Sequence, residues 1–431
     1  MSTLDPRLPL IQNLDLNGKV VLARVDHNVV NKGAIEDAFR IDSTFGLIHY
    51  IATKGGFPIL MTHVGRTRDK KTGHIKTGPD SSVAPIVEYL NRKLEGGFVI
   101  PEFPINPELG IENLDASVID PLLAKLKARE IGGIYLPNTR WFTGEESKDD
   151  KTKALAAQMG KIADIYVNDA FGSWQPHAST YDVTANLPSA AGFLMQKELE
   201  HLDLVLNPQH PFLGVVAGSK YDTKIGPLTK LYEKADYLLL GGVIYNAFLA
   251  AKYGIKVAGV EDEDVKLAAD LVEKDKNSGK ILELDGVVES DTFGREPGKF
   301  RAVKTKDFQK GKEYKYFLDV DPESFDSPKI TDIIRGAKTI FVNAVMGLTS
   351  HFPEGSARFY TEVSKNAQAT KLFGGGDTLT DLKNLTPGVY MSALDDPTYY
   401  FFTGGGAVLT AIESGAYGIK PVAALLEKPK A

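Results

Sequence analysis

Cysteine is absent from the 431 residues, which excludes disulfides, thiolate metal sites and cysteine nucleophiles. Basic excess is missing too: 50 Lys and Arg stand against 56 Asp and Glu, a net charge of −6. A general nucleic-acid footprint needs the opposite balance, so no nucleic-acid partner is expected, while one local basic pocket for a small anion remains allowed. Long apolar runs are lacking. The most apolar window, YLLLGGVIYNAFLAA, ends after 15 residues and is broken by Gly241 and Gly242, too short to cross a bilayer. The opening MSTLDPRLPL shows neither the charged nor the apolar region of a secretory leader, so a cytoplasmic protein with no membrane association is expected. Standard signatures are missing as well. No Gly-Lys pair is followed by Ser or Thr, and GxGxxG, HExxH and GxSxG do not occur. His63, His74 and His177 have no metal-ligand spacing with one another and read as non-metal residues.

What the chain does have is alternation. KVVLARV (19–25), FPILMTH (57–63), GIYLPN (133–138) and ADIYVND (163–169) read as buried parallel strands, separated by segments with helical apolar spacing. The pattern restarts with PFLGVVAG (211–218), ADYLLLGG (235–242), GKILEL (279–284), KTIFVNA (338–344), TKLFGGG (370–376) and TYYFFTGGG (398–406). Alternating strands and helices predict an α/β fold of two lobes, each a parallel sheet covered by helices on both faces. The expected divisions are an N-terminal lobe over 1–188, an interdomain helix or hinge over 189–212, a C-terminal lobe over 213–414 and a closing segment over 415–431. The charged stretch EDEDVKLAADLVEKDKNSGK reads as a solvated helix face.

Parallel α/β sheets bind ligands beyond the carboxyl ends of their strands, so the residues that follow each strand are the ones to inspect. In the first lobe Arg24, Asp26, His27 and Asn28 close the first strand, and His63, Gly65, Arg66 and Arg68 follow the second. Asn138 and Arg140 follow the third, Asn168 and Asp169 the fourth, and Arg40 enters a helix. Recurrent arginines at strand ends suit carboxylate and phosphate oxygens, which a guanidinium binds in pairs. In the second lobe Gly218, Ser219, Lys220 and Lys224 follow a strand, Asn343 ends another, and two glycine triplets follow two more: Gly374, Gly375 and Gly376, then Gly404, Gly405 and Gly406. Consecutive glycines before a helix read either as tight turns or as anion cradles, where bare amides and a helix N-terminus face phosphate. Asp377, followed by Thr378, stands directly after the first triplet, placed to cap a helix or to hold Mg²⁺ beside phosphate.

In order and spacing these segments resemble phosphoglycerate kinases over nearly the whole chain. RVDHNVV is similar to the family's Arg-Val-Asp-Phe-Asn, THVGR to its Ser-His-Leu-Gly-Arg, and PNTRWF to its Glu-Asn-Leu-Arg-Phe; VNDAFG stands as the family has it. VAGSKYDTKIGPLTKL resembles the Gly-Gly-Ala-Lys turn with its second lysine, and FGGGDT and FTGGGAVL match the family's glycine triplets. The resemblance implies reversible phosphoryl transfer between 1,3-bisphosphoglycerate with MgADP and 3-phosphoglycerate with MgATP, in glycolysis. It implies Arg40 and Lys220 at the transferring phosphoryl group. Asp26, Asn28, His63, Arg66 and Arg140 would then hold phosphoglycerate. Gly218, Ser219, Lys224, Gly241, Gly242, Asn343, Thr378 and the two triplets would hold ATP or ADP, and Asp377 the Mg²⁺. It also implies a hinge motion that closes the lobes, a closing segment that returns to the first lobe, and a monomer whose partners are small molecules.

Three departures accompany it. SWQPHAST carries Gln175 and Pro176 where the family has a His-Arg pair, so one anion-binding arginine is missing. NAVMGLTS puts Ser350 where a glutamate would grip the ribose, with Glu354 nearby, and LGGVIYN puts Val243 in place of a third glycine. Three readings stay open on these grounds: a phosphoglycerate kinase with altered substrate loops, a relative using another carboxylate acceptor or nucleotide, and a non-catalytic nucleotide-binding paralogue. Retention of Arg40, Lys220 and Asp377 favours the first.

Overall fold

The structure, a computed structural model, describes residues 4–218, 225–343 and 345–427. The chain divides into two compact units, Met1–Glu200 together with Ala416–Ala431, and His201–Gly415.

In the first unit six strands form one sheet: β1 (Val20–Val25), β2 (Phe57–Met61), β3 (Phe98–Val99), β4 (Gly133–Tyr135), β5 (Ile165–Asp169) and β6 (Ser189–Ala191). Every pairing is parallel, in the order β3-β4-β2-β1-β5-β6. All six residues of β1 are buried, as expected for a central parallel strand covered on both faces. One face packs Val21, Ala23 and Val25 against helix residues Ile48, Ile51, Ile86 and Leu90. The short helix α1 (Phe39–Asp42) carries Arg40.

The long helix expected from residue 189 begins later. Ser189–Ala191 instead extends the sheet as β6 beside Tyr166–Asn168, and the helix, α2, runs Phe193–Leu206. The small side chains of Ser-Ala-Ala fit an edge against β5, a packing preference invisible to a helical-periodicity reading. Asp169, at the end of β5, then caps α2 from outside the helix: its Oδ1 accepts the backbone N–H of Leu194 at 2.7 Å and of Met195 at 3.1 Å. Gly192 is required at this junction, because a Cβ there would sit 2.4 Å from the Asp169 carboxylate.

In the second unit β7 (Phe212–Gly218), β8 (Tyr237–Gly241), β9 (Ile281–Leu282), β10 (Thr339–Asn343), β11 (Thr370–Gly374) and β12 (Tyr399–Phe402) form another fully parallel sheet, ordered β9-β8-β7-β10-β11-β12. Helices α3 (Gly242–Tyr253), α4 (Gly376–Leu385) and α5 (Gly405–Ser414) start at the carboxyl ends of β8, β11 and β12. A three-stranded antiparallel sheet, absent from the expectation, is also present: Gly286–Ser290 lies between Phe300–Lys304 and Tyr316–Val320. Its charged, alternating sequence conceals it, since buried Glu289 is neutralised by Arg301 across the ladder at 2.8 Å. Among the described residues no helix is long and apolar enough to cross a membrane.

Candidate functional site

Each sheet changes direction beside its central strand, and each carries a cleft at its carboxyl edge. In the second unit the strand order reverses between β7 and β10, the position where open α/β sheets leave a crevice for ligands. A cavity of about 480 Å³ opens there. Gly218 and Asn343, the last residues of β7 and β10, line it, with Gly242 at the start of α3. Gly375, Gly376, Asp377 and Thr378 line it as well. Gly375 has φ +114°, a conformation that other residues rarely adopt, and it turns the chain into α4. The open amides of that first turn, with the helix dipole behind them, suit a phosphate. Apolar side chains complete the lining: Phe293, Phe317, Leu318, Val345 and Leu348. All three of Phe293, Phe317 and Leu318 come from the antiparallel sheet and its loop, which explains why no strand-end search found them.

Four of the expected glycines lie behind this wall instead of on it. Gly241 packs on Ala217 and Met346, where a Cβ would approach to 2.8 Å. Gly405, of the second triplet, meets Gly375 backbone to backbone, and a Cβ on it would lie 2.4 Å from the Gly375 Cα. Gly374 and Gly404 flank these two and do not line the cavity. The triplets therefore meet each other: one shapes the cleft and the other lets it be shaped. Ser219, Lys220 and Lys224 lie outside the described residues.

Asp377 is exposed on the cleft side of α4, and Asp381 stands one turn further along the helix. Asp381 has a buried Oδ2 without a hydrogen-bond partner, and its pKa is raised by burial, with the Asp377 charge adding to the effect. Among the described residues no three His, Asp or Glu converge on one point as a complete metal cage. A carboxylate at the lip of a phosphate-shaped cleft nevertheless fits Mg²⁺, which keeps most of its waters and takes its other oxygens from phosphate.

In the first unit a second cleft, about 450 Å³, is walled by Arg24, Asn28, His63, Arg66 and Arg140 on strand-end loops and by residues 172–175 and His177. Arg24 is 1% exposed and fully committed. It donates through Nε to Ser179 at 3.0 Å, through Nη1 to the Val25 carbonyl at 2.5 Å, and through Nη2 to His63 Nδ1 at 2.9 Å. A guanidinium can only donate, so His63 Nδ1 accepts and the imidazole proton resides on Nε2. Burial first, then the charges of Arg24, Arg140, His177 and Arg40, hold the His63 pKa well below its ordinary value; it is neutral at pH 7. His27 is likewise neutral, with burial and Arg24 lowering its pKa to about 3. Asn28 Oδ1 accepts the Gly65 N–H at 2.8 Å. Asp26 and Arg40 stand beside the cleft and not on its wall. Asp26 is 1% exposed, its Oδ2 has no hydrogen bond, and Arg40 Nη1 approaches that atom to 3.5 Å. A buried carboxylate with one neutralising partner fixes where that guanidinium can point. Arg140 is half-committed: Nε pairs with Glu146 at 2.8 Å and Nη1 donates to the Gly65 carbonyl.

The phosphoglycerate kinase family model matches residues 11–415. The chain belongs to the phosphoglycerate kinase family. It is similar to the phosphoglycerate kinase of Roseiflexus sp. (strain RS-1), 33% identical over 410 residues that cover 94% of this chain and 95% of that one. It is equally similar to that of Thermosipho africanus, 33% identical over 415 residues with 94% of each chain covered. The phosphoglycerate kinase structure from Coxiella burnetii superposes with a TM-score of 0.74 at 27% identity, covering 97% of this chain and 98% of that one. The phosphoglycerate kinase structure from Pyrococcus horikoshii, at 20% identity and TM-score 0.73, shares the fold. The protein is therefore a kinase, a phosphotransferase.

Seen as a phosphoglycerate kinase, the first cleft carries features that the sequence reading passed over. Arg24 was noted only as a strand-end residue; its role as the hub of Ser173, Ser179 and His63 is visible only in three dimensions. Trp174 stands beside Gln175 on the wall, and Glu145 joins it. Glu145 is occupied by Ser179, whose backbone N–H it accepts at 3.0 Å. In the second cleft Glu354 stays off the wall. It is paired to Arg295 at 2.6 Å, and it does not line the cavity.

Proposed function

We propose that this kinase catalyses the reversible transfer of a phosphoryl group between 1,3-bisphosphoglycerate with MgADP and 3-phosphoglycerate with MgATP, a cytoplasmic step of glycolysis. The observation that carries the reading is the basic cleft: in a chain of net charge −6, Arg24, Arg66 and Arg140 gather on one wall. Asn28, His63, Arg66 and Arg140 would hold phosphoglycerate there, and Asp26 would aim Arg40. In the direction that consumes ATP, the acceptor is a carboxylate already ionised at neutral pH. Its oxygen attacks the γ-phosphorus, the bond from that phosphorus to the bridging oxygen of ADP breaks, and no proton needs to be removed. A neutral His63 is compatible with this, since no general base is called for. What remains is positioning and charge neutralisation, which dominate phosphoryl transfer.

In this reading Arg40 neutralises the transferring group, and the first turn of α4 with Gly218, Gly242, Asn343 and Thr378 receives the nucleotide phosphates. Asp377 would hold Mg²⁺, which when bound offsets phosphate charge. Lys220 and Lys224 are assigned through the family resemblance alone. The first unit would thus be the phosphoglycerate lobe and the second the nucleotide lobe.

A coupled assay with MgATP and 3-phosphoglycerate, beside Arg40→Ala, tests the proposal. Turnover in the wild type that Arg40→Ala abolishes supports it. No turnover at millimolar substrate, with MgADP binding intact, would transfer the reading to another carboxylate acceptor. That second reading has its own support in the missing arginine at Gln175 and in the pinning of Arg140 by Glu146. Absence of binding to both substrates would leave a non-catalytic relative.

A further inference from the structure

We propose that the first cleft also takes carboxylic acids that bear hydroxyl groups and no phosphate, glycerate among them, as phosphoryl acceptors. The proposal rests on the kinase reading and names a further acceptor class for the same site. A site rejects an analogue lacking a charged group when the residues that would bind that group are left unpaired. Most of the cations at this cleft already have partners within the chain. Arg24 is buried, and its three nitrogens are divided among Ser179, Ser173, Thr62, His63 and the Val25 carbonyl. Arg140 spends Nε on Glu146 and Nη1 on the Gly65 carbonyl. Arg68 gives its guanidinium to the carbonyls of Thr143 and Gly73 and does not line the cleft. Arg40, beside the cleft, faces Asp26 at 3.5 Å. Arg66 differs: it is exposed on the wall, and among the described residues its side chain forms no ion pair or hydrogen bond.

The rest of the wall adds no positive charge. Residues 172–175 are Gly, Ser, Trp and Gln, and burial before all else lowers the pKa of both His63 and His177, so neither is charged at pH 7. Glu145 joins the wall and Glu146 holds Arg140, so the wall's three arginines are met by two glutamates and one positive charge is left over. Phosphoglycerate brings one negative charge on its carboxylate and about two on its phosphate ester at neutral pH. Glycerate, which lacks only that phosphate, leaves Arg66 unpaired, and an exposed guanidinium is then satisfied by water. The step balances as it does for phosphoglycerate. A carboxylate oxygen of glycerate bonds to the γ-phosphorus, the bond from that phosphorus to the bridging oxygen breaks, and ADP leaves with the electron pair. The product is glyceroyl phosphate, and no proton moves.

Hydroxylamine converts either acyl phosphate to a hydroxamate, so 3-phosphoglycerate and D-glycerate can be compared with MgATP in one trapping assay. One uncommitted charged contact predicts that kcat/KM favours 3-phosphoglycerate by at most about a hundredfold. A cleft whose cations all waited for the phosphate would discriminate by roughly ten-thousandfold or more. Gln175→Arg, at an exposed position of the wall where folding is not at stake, adds an uncommitted cation. It should widen the preference by about tenfold or more. A wild-type preference beyond about a hundredfold, or one that Gln175→Arg leaves unchanged, would overturn the acceptor assignment while the kinase reading stands. Turnover of neither acceptor would overturn both.

Discussion

Replacing Asp169 with asparagine should remove the loss of first-unit stability that the wild type shows as pH rises through about 4 to 7. Asp169 is fully buried, and although Met195, Leu194 and Lys197 favour its charged form, burial outweighs them and raises its pKa from 3.8 to about 7. Its Oδ2 has no partner. A carboxyl whose folded-state pKa is raised contributes stability in full below the unfolded value, and loses it as pH climbs through the folded value. The window is therefore about pH 4 to 7. A rise from 3.8 to about 7 amounts to about 4 kcal/mol, of which about 3 kcal/mol falls between pH 5 and 8.

Asparagine keeps an Oδ1 for the N–H groups of Leu194 and Met195 but does not titrate. Its buried Nδ2 has no acceptor, costing about 1–3 kcal/mol at every pH. The variant should thus be the less stable protein at pH 4, where the wild type keeps most of this contribution, and the more stable one by pH 8. The chain's two tryptophans, Trp141 and Trp174, both lie in the first unit, so their fluorescence reports its unfolding without interference from the second. Urea titrations from pH 5 to 8 should show the midpoint of the variant rising relative to that of the wild type by roughly 1 M, given a slope of about 2–3 kcal/mol per molar for a unit this size. A midpoint difference that stays constant with pH, or that moves in favour of the wild type, would refute the assignment of a buried, proton-holding cap.

Two further outcomes are expected. Gly405→Ala forces a Cβ to 2.4 Å from the Gly375 Cα; it should destabilise the second unit by about 1–3 kcal/mol and weaken ADP binding in calorimetry, while the tryptophan-reported transition stays in place. A variant that binds ADP normally would show that the two triplets do not depend on each other. Glu146→Gln leaves Arg140 Nε an oxygen to bond but removes its countercharge, so KM for 3-phosphoglycerate should fall roughly two- to fivefold with kcat and ADP affinity unchanged; an unchanged or higher KM would mean that Arg140 does not face the acceptor.

Much of the fold is written in local chemistry. β-branched runs such as Val20–Val25 and Thr339–Asn343 declare buried parallel strands because both of their faces must be covered. Glycine triplets at strand ends declare where backbones must approach closely. From these alone the α/β class, the two parallel sheets and a family resemblance were legible, as were the strand-end residues on the clefts: Asn28, His63, Arg66, Arg140, Gly218, Gly242, Asn343 and Gly375 to Thr378. The structure decided what depends on partners distant in sequence. Ser189–Ala191 became a strand because β5 offers it an edge, and Asp169 became a helix cap because α2 begins beneath it. The antiparallel sheet escaped notice because Glu289 is made tolerable in its interior only by Arg301 across the ladder. Which of two glycine triplets lines a cleft, whether Arg140 is free or held by Glu146, and which way the Asn246 amide turns are questions of relative position. A linear chain determines its periodicities and its backbone permissions; hydrogen-bond direction and ion pairing are settled only when folding brings Phe317 to Asn246 and Glu146 to Arg140.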